Sequence, residues 1–259
     1  GGTRDCDWYF TSEAILLDTA GRYAGDPAHH KAWLAFLDLL RRHRRRAPIN
    51  GLIVAVSIEQ IAAAGEPVNE DAVVTLAATL RQRLHEISER LHVSVPVYVL
   101  FTKADRIPGF SDYFGTFDEV ERRQMWGATL PFDADGSADA AAQFNHHLDI
   151  LVARAERGNL DRLTSGYADL SIDTFTLPNE LARRKVPMAR FLEVLFASTP
   201  YHGRAVFRGF YLTSAMPDTS PLSDDRKEFD ARFGFPAKTS PRPAPPGFAS
   251  GGGFFLHDL

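Results

Sequence analysis

The sequence predicts an α/β fold of the doubly wound type, built on a mainly parallel sheet. Two polar motifs support this prediction, because Asp18-Thr19-Ala20-Gly21 and Thr102-Lys103-Ala104-Asp105 each follow a short apolar run. A strand and a helix lie between the motifs, and such alternation favours right-handed crossovers and parallel pairing. Ligands bind at the carboxyl ends of parallel strands. We therefore expect Asp18 and Asp105 to lie near each other along one rim of a shared sheet.

The first part of the chain is predicted to form two short strands, a helix and a longer strand. Strands are expected over 5–10 and 14–17, joined by the polar turn Thr11-Ser12-Glu13. A helix is expected from Lys31 to about Arg44, because its apolar residues recur at helical spacing. After a Pro-Ile-Asn-Gly break, the apolar run Leu52–Val56 is typical of a central parallel strand that is buried on both faces.

The middle of the chain continues this alternation. An apolar stripe with steps of three and four predicts a long helix from about Glu70 to His92, with Asn69 as its N-cap. The next predicted strand, Val95–Phe101, places the second motif at its carboxyl end. Strand, helix and strand in this order form a βαβ unit with parallel strands.

The last part of the chain is predicted to hold a helical insertion, over about 106–168, and an irregular tail. The expected elements are a helix near 138–157, a strand near 170–176, an amphipathic helix that carries Met188 to Leu195 and a strand over 206–212. From Pro217 onward, Pro, Ser, Asp and Gly dominate. We therefore divide the chain into an α/β domain over 1–216 and a tail or linker over 217–259.

The two motifs have the residue types of a GTPase-like nucleotide pocket, within the P-loop NTPase class of folds. A carboxylate at a strand end can hold Mg²⁺ through water, and a glycine N–H can reach the terminal phosphate. Asp18 and Gly21 would take these roles, with Thr19 beside them. Asp105 can accept two hydrogen bonds from guanine, and the stem of Lys103 can lie along the purine. Both motifs are also ordinary turn compositions, so each alone is a weak signal.

Two parts of such a pocket are missing or altered. No Gly-x-x-x-x-Gly-Lys-Ser/Thr motif occurs in the 259 residues, so the usual phosphate cradle is not among them. Thr3 stands where small GTPases place the switch threonine that binds Mg²⁺, and we expect the first strand and phosphate loop to precede Gly1. Thr102 replaces the usual asparagine, which leaves the choice of base open. We expect Mg²⁺ and ATP or GTP only in a longer protein, and no tight triphosphate binding by residues 1–259.

Arg22 is the candidate catalytic residue. Small GTPases usually place a glutamine after the Asp-x-x-Gly motif, where it orients the attacking water, and this chain has Arg22. An arginine side chain donates hydrogen bonds but cannot accept them. It could stabilise phosphate charge in cis, or it could pair with an acidic neighbour. Slow or absent hydrolysis is the prediction in either case.

Other candidate sites each have a structural alternative. The basic run 41–46 could attract anionic headgroups, or it could be the solvated end of a helix. The pairs His29-His30 and His146-His147 lack the i, i+4 spacing of helical metal ligands, so no metal site is predicted there. The last base-contacting loop is either 213–215 or 175–178. Counting strands favours the earlier segment and places the later strand at the sheet edge.

The composition argues against nucleic-acid binding, internal disulfides and a membrane span within these residues. A net charge of −4 and a pI near 6.1 provide no general attraction for nucleic acid. The single cysteine, Cys6, cannot form an internal disulfide and is interpreted as a core thiol of a protein in a reducing compartment. No apolar run approaches the roughly 18 residues that span a bilayer, so no membrane span is predicted in these residues.

Short segments dispersed over almost the whole chain form a more specific pattern than either motif. These segments are Gly2–Trp8, Leu17–Tyr23, Pro48–Gly51, Val97–Lys103, Gln124–Gly127, Arg208–Ser214 and Phe254–Leu259. Together they resemble the IcmF family, also called TssM. The resemblance covers the chain from end to end.

The resemblance implies a part of the bacterial type VI secretion system. It implies an NTPase-like domain on the cytoplasmic face of the inner membrane, in a protein whose membrane spans lie outside these residues. The implied partners are an inner-membrane protein of the TssL type, baseplate components and, through the rest of the protein, an outer-membrane lipoprotein of the TssJ type. The domain would be an assembly and docking module with a vestigial or regulatory nucleotide site. The alternatives are an active regulatory NTPase that hydrolyses ATP or GTP, and an unrelated signalling GTPase.

Overall fold

The computed structural model describes residues 6–12, 14–115, 117, 120–121, 124–131, 139–164, 172–197 and 205–214. The strands in this part of the chain are β1 (Asp7–Phe10), β2 (Ile15–Asp18), β3 (Leu52–Ser57), β4 (Pro96–Thr102), β5 (Gly127–Thr129) and β6 (Val206–Leu212). Its helices are α1 (Arg22–Gly25), α2 (His30–His43), α3 (Ile58–Ala62), α4 (Glu70–Leu91), α5 (Phe110–Phe114), α6 (Ala140–Thr164) and α7 (Leu177–Leu195). Thr3, Ala215 and the predicted tail over 217–259 lie outside the described residues.

Strands β1 and β2 form an antiparallel hairpin, as their predicted turn requires. Trp8 lies opposite Leu17, and the turn is closed by Thr11, whose hydroxyl donates to the carbonyl of Ala14. The hairpin is a separate two-stranded sheet among the described residues. The expectation that Asp18 and Asp105 follow strands of one hydrogen-bonded sheet is therefore wrong, because β2 takes its hydrogen bonds from β1.

The larger sheet has four strands in the order β3-β4-β6-β5. Strands β3, β4 and β6 are parallel, and the short β5 pairs antiparallel with β6 at the edge. Helix α4 makes the crossover from β3 to β4, and helices α6 and α7 lie between β4 and β6 in the chain. The α/β class and the mostly parallel sheet are thus confirmed.

Two predictions about the last part of the chain are wrong. Residues 172–175 form a turn of 3₁₀ helix and lead into α7, which has Pro178 in its first turn, instead of forming a strand. Proline is favoured there because the first helical N–H groups have no partner within the helix. Strand β6 lies next to β4 in the sheet interior, and not at an edge. Its seven residues are almost all buried, as an interior strand requires.

The main core lies on one face of this sheet, under α6 and α7. Phe101 of β4 contacts Phe144 of α6 and Phe191 of α7, with ring centroids 6.1 and 6.3 Å apart. Phe144 also meets Phe210 of β6 at 4.6 Å. These fully buried aromatic rings contribute more than their area alone, because edge-to-face contacts are favourable.

A second, smaller core joins α2 to α4. Trp33, Leu37 and Leu40 of α2 pack against Ile87 and Leu91 of α4. The half-buried Leu17 of the hairpin and Leu52 of β3 pack against the same cluster. This cluster therefore positions the hairpin beside the larger sheet.

Candidate functional site

The predicted base-contacting motif lies at the carboxyl ends of β4 and β6, where two loops meet. The N–H of Ala104 donates to the carbonyl of Thr213 at 3.0 Å, and the N–H of Thr213 donates to the carbonyl of Phe101 at 3.0 Å. The hydroxyl of Ser214 donates to the carboxylate of Asp105. Both side chains are almost fully buried, with Asp105 at 4% and Ser214 at 1% exposure. The structure thus brings Asp105 together with the 213–214 loop, and not with 175–178.

Lys103 extends from this loop toward the neighbouring strand end. Its backbone is left-handed, with φ of 57°, and its Nζ donates to Oε2 of Glu59 at 2.9 Å. Glu59 belongs to α3, which directly follows β3. The hydrogen bond from Lys103 is the main reason why the pKa of Glu59 lies below its usual value. Lys103 therefore links the loops that follow β3 and β4.

The Asp-x-x-Gly motif lies at the end of the hairpin. Asp18 is the last residue of β2 and lies opposite Asp7 of β1, and the half-buried Thr19 follows it. Gly21 precedes α1 with φ of −56°, and open space surrounds the position where a Cβ would be. Arg22 is exposed, and its guanidinium lies 5.5 Å from the ring centre of Tyr23. Thr3, the other predicted Mg²⁺ ligand, is outside the described residues.

A cavity of about 760 Å³ separates the hairpin from β3. Residues 14–21 form one wall, and residues 51–55 form another. Side chains of α2 and α4, mostly apolar and including Trp33 and Leu84, line the cavity between them, and so do Tyr98 of β4 and Tyr211 of β6. The candidate residues Asp18, Thr19 and Gly21 thus line this cavity.

A buried carboxylate on α4 organises the part of the cavity lining that α2 and α4 form. Glu86 is 7% exposed, and its oxygens accept hydrogen bonds from Nε1 of Trp33 at 2.8 Å and from Arg83 at 2.8 and 2.9 Å. His30 lies 2.9 Å from the same carboxylate. Burial alone would raise the pKa of Glu86, but the hydrogen bonds from Arg83, Gln82 and His30 outweigh burial and lower it. Glu86 therefore remains ionised and ties α2 to α4.

Sequence reasoning missed this cluster, because Glu86 lies off the apolar stripe of the helix predicted over 70–92. At 3.6 residues per turn, Glu86 is about 100° around the helix from Ile87 and about 160° from Leu84. The pattern along the helix therefore predicts an exposed carboxylate, and only the packing of α2 on α4 buries it.

The comparisons with known proteins agree with each other about the family. The family model for the IcmF-related N-terminal domain matches residues 27–259. The chain belongs to the IcmF-related family. Its sequence is 36% identical over 228 residues to a Pseudomonas aeruginosa protein described as type VI secretion system component TssM1. The match covers 86% of this chain and 20% of that relative, so the chain spans about a fifth of the relative's length.

The IcmF-related domain has no significant match among solved structures. Its place in the P-loop NTPase class therefore remains a prediction. Within the described residues, no helix is long and apolar enough to cross a bilayer. The same part of the chain contains no group of three or more His, Cys, Asp and Glu side chains that could hold a metal ion.

The remaining sequence candidates have ordinary surroundings in the IcmF-related domain. His146 and His147 contact each other edge to face. The pKa of His147 is lowered mainly by burial and to a smaller extent by the charge of His146. The basic run begins in the last turn of α2, and Arg41 donates to the carbonyl of Arg90 at 3.2 Å. Cys6 is half-buried beside the hairpin, so the core-thiol interpretation is wrong.

Proposed function

We propose that this domain belongs to a type VI secretion membrane-core protein and acts there as an assembly and docking module. Family membership and the 36% identity to a type VI secretion component support the proposal. The domain would lie at the cytoplasmic face of the inner membrane, in a protein that crosses the membrane elsewhere.

The observation that carries the docking role over a hydrolytic one is the burial of Asp105. Its carboxylate accepts a hydrogen bond from Ser214 and is 4% exposed, so little of it can accept hydrogen bonds from a base. Lys103, the other predicted base-contacting side chain, donates to Glu59. Asp105 therefore belongs to the junction of the loops that follow β4 and β6, and Lys103 links this junction to α3. This arrangement fits a vestigial nucleotide site.

The proposed docking surface lies on the second half of α6, within the predicted insertion. Leu160 and Leu163 are one helical turn apart and are 62% and 60% exposed. Residues at i and i+3 share one face of a helix, so the two side chains form a small apolar patch. Apolar side chains that are exposed side by side in an insertion offer a surface that another protein can cover. The proposed partners are a TssL-type inner-membrane protein and baseplate components, while a TssJ-type lipoprotein would bind elsewhere on the protein.

A double charge substitution tests this docking role. We expect Leu160→Glu with Leu163→Glu, placed in the full-length protein, to abolish type VI secretion and recovery of TssL with the complex. The matched control is Leu39→Glu with Val186→Glu, because these side chains are 53% and 72% exposed on α2 and α7. The thermal unfolding of residues 1–259 should be the same for both double variants. Normal secretion by the Leu160 and Leu163 variant would contradict the proposed surface.

A regulatory NTPase that uses Mg²⁺ with ATP or GTP is the second candidate. The backbone of Gly21 favours this second candidate, because the fold itself does not require a glycine there. Its φ of −56° is open to any residue, and nothing crowds the position of an added Cβ. A glycine that the fold does not require can serve the close approach of a phosphate. Asp18 beside it would then hold Mg²⁺ through water, and Arg22 would stabilise phosphate charge.

A further inference from the structure

The basic run over residues 41–46 concentrates positive charge at the end of α2 and in the loop that follows. Five of these six residues are arginine, and the sixth is His43. The whole chain has a net charge of −4, so the basic run is a local reversal of sign. Arg42, Arg45 and Arg46 are exposed, and Arg44 is half-buried.

The helix end accounts for only part of this charge. Arg41, Arg42 and His43 lie in the last turn of α2, where the partial negative charge of the helix end favours cations. Arg44 follows as the C-cap, and its N–H donates to the carbonyl of Leu40 at 2.9 Å. Residues 45 and 46 lie beyond the helix, and the effect of the helix dipole fades within the last turn. The dipole therefore does not explain arginine at these two positions.

An acidic neighbour accounts for one arginine of the run. Arg41 lies 3.7 Å from Oδ1 of Asp38 and donates to the carbonyl of Arg90 at 3.2 Å. Arg90 lies 3.0 Å from Oδ2 of Asp38, so two guanidinium groups share this carboxylate. No hydrogen bond or ion pair joins any described residue to the side chains of Arg42, Arg44, Arg45 and Arg46. Four cations of the run are thus open to an anion from outside the domain.

The second core holds the basic run in place at both ends. On one side Leu40 is 6% exposed and belongs to that core. On the other side Pro48 is buried, and Ile49 packs against the same cluster. A loop that is fixed at both ends loses less conformational entropy on binding than a free basic tail does. The arginines are therefore presented on an ordered part of the surface.

We propose that the basic run binds the anionic phospholipid headgroups of a membrane surface. A guanidinium group can donate two parallel hydrogen bonds to one phosphate group, which suits arginine to this ligand. Each basic residue near an anionic leaflet strengthens the attraction about fivefold. This inference rests on the proposed function, because a domain at the inner membrane has such a surface beside it.

The distribution of charge favours a membrane over nucleic acid. Nucleic acid is a long polyanion that is bound by a broad basic surface, and affinity grows with the number of phosphates neutralised. Outside the basic run the chain is acidic, so a polyanion that extends beyond the run would be repelled. A flat membrane surface can be met by the basic run alone.

Co-sedimentation of residues 1–259 with vesicles of phosphatidylcholine and phosphatidylglycerol tests the proposal. We expect Arg45→Glu with Arg46→Glu to lower the partition coefficient at least about tenfold. The matched control is Arg154→Glu with Arg157→Glu on α6, because these two arginines are also exposed and also have no partner among the described residues. This control changes the net charge equally and should bind within about twofold of wild type.

A neutral pair separates lost attraction from added repulsion and from misfolding. Arg45→Gln with Arg46→Gln should lower vesicle binding less than the glutamate pair does, but more than the α6 control. All variants should have the melting temperature of wild type within about 2 °C, since the changed side chains are exposed. Equal losses for the basic-run and α6 glutamate pairs would overturn the proposal, because the net charge would then decide binding.

Three further results would overturn the proposal. One is that wild-type protein does not bind the phosphatidylglycerol vesicles, or binds pure phosphatidylcholine vesicles equally well. Another is complete displacement from vesicles by millimolar glycerol 3-phosphate at constant ionic strength, which would indicate a site for a single free phosphate. The third is that duplex DNA binds through the same arginines more tightly than vesicles of equal phosphate content.

Secretion assays keep this inference separate from the proposed docking role. Vesicle binding that depends on the basic run, together with normal secretion by the Leu160 and Leu163 variant, would support the inference and contradict the docking surface. Loss of secretion by that variant, with no binding of wild-type residues 1–259 to phosphatidylglycerol vesicles, would support the docking surface and overturn the inference.

Discussion

The hydroxyl of Ser214 donates a hydrogen bond to the buried carboxylate of Asp105, across the carboxyl ends of two neighbouring parallel strands. These residues are 109 positions apart in the chain. Two backbone hydrogen bonds between Thr213 and the segment Phe101–Ala104 hold the same junction. The Thr102–Asp105 motif, which predicts a base-contacting loop, thus connects the loops that follow β4 and β6 in this domain.

Ser214→Ala should therefore destabilise the domain. The substitution removes a donor from a carboxylate that is 4% exposed, and such a loss costs about 1–3 kcal/mol. Chemical denaturation of residues 1–259 measures the free energy of unfolding. Asp105→Asn should cost less, because the amide oxygen can still accept from Ser214. A Ser214→Ala protein within about 0.5 kcal/mol of wild type would show that the hydrogen bond is not important.

The carboxylate of Glu86 should make stability depend on pH. Its folded-state pKa is lowered, so its stabilising contribution is present above the unfolded value near 4.5 and is lost as pH falls through the folded value. Glu86→Gln should reduce this acid-induced loss, and it should lower stability at pH 7 by about 1–3 kcal/mol because Arg83 loses its charged partner. Denaturation at several pH values between 3 and 7 measures both effects. The control is Glu66→Gln at an exposed loop position, and an equal pH profile for both variants would contradict the role of Glu86.

Two glycines should respond to alanine in opposite directions. Gly21 has φ of −56° with open space at its Cβ position, so Gly21→Ala should stabilise the domain by about 0.4–1 kcal/mol. Gly109 has φ of +78°, and an added Cβ would overlap the carbonyl of Asp173 and the hydroxyl of Thr176. Gly109→Ala should cost about 1–3 kcal/mol. Thermal denaturation distinguishes the two, and a loss at Gly21 comparable to that at Gly109 would contradict the described backbone.

Residues 1–259 should bind no triphosphate tightly. Asp105 and Lys103 are already bonded to Ser214 and Glu59, and the sequence contains no phosphate-binding glycine and lysine motif. Isothermal titration calorimetry with MgGTP and MgATP should give dissociation constants above about 1 mM. Micromolar affinity for either nucleotide would contradict a vestigial site in these residues.

The regular elements of this fold could be predicted because their patterns are long. The apolar run at 52–56 and the stripes over 70–92 and 188–195 identify a strand and two amphipathic helices. The prediction that the strand is central and buried on both faces is wrong, because β3 ends the described sheet and Ile53 is 48% exposed. Strand β5 could not be predicted, since it has only three residues, Gly127–Thr129, and forms by pairing with the distant β6. Short strands depend on their partners more than on their own composition.

The candidate site could be predicted in part. The sequence identifies Asp105 and the loop that contains Thr213 and Ser214 as candidate base-contacting groups. It could not show that they meet, because the order of strands along the chain does not determine that β6 lies beside β4 in the sheet. The segment 172–175 has strand-like composition, yet it continues directly into α7, and tertiary packing decides between these states. The prediction that Asp18 and Asp105 lie along one rim of a shared sheet is wrong, because β2 pairs only with β1 among the described residues.

Secretion by a bacterium that carries Asp18→Ala in the full-length protein tests the central claim most directly. The docking role predicts type VI secretion within about twofold of wild type, because assembly would not require Mg²⁺ or phosphate at this position. Recovery of the membrane complex, measured in the same cells, shows whether the protein still assembles. Complete loss of secretion from a fully assembled complex would contradict the docking role and would establish the regulatory NTPase instead.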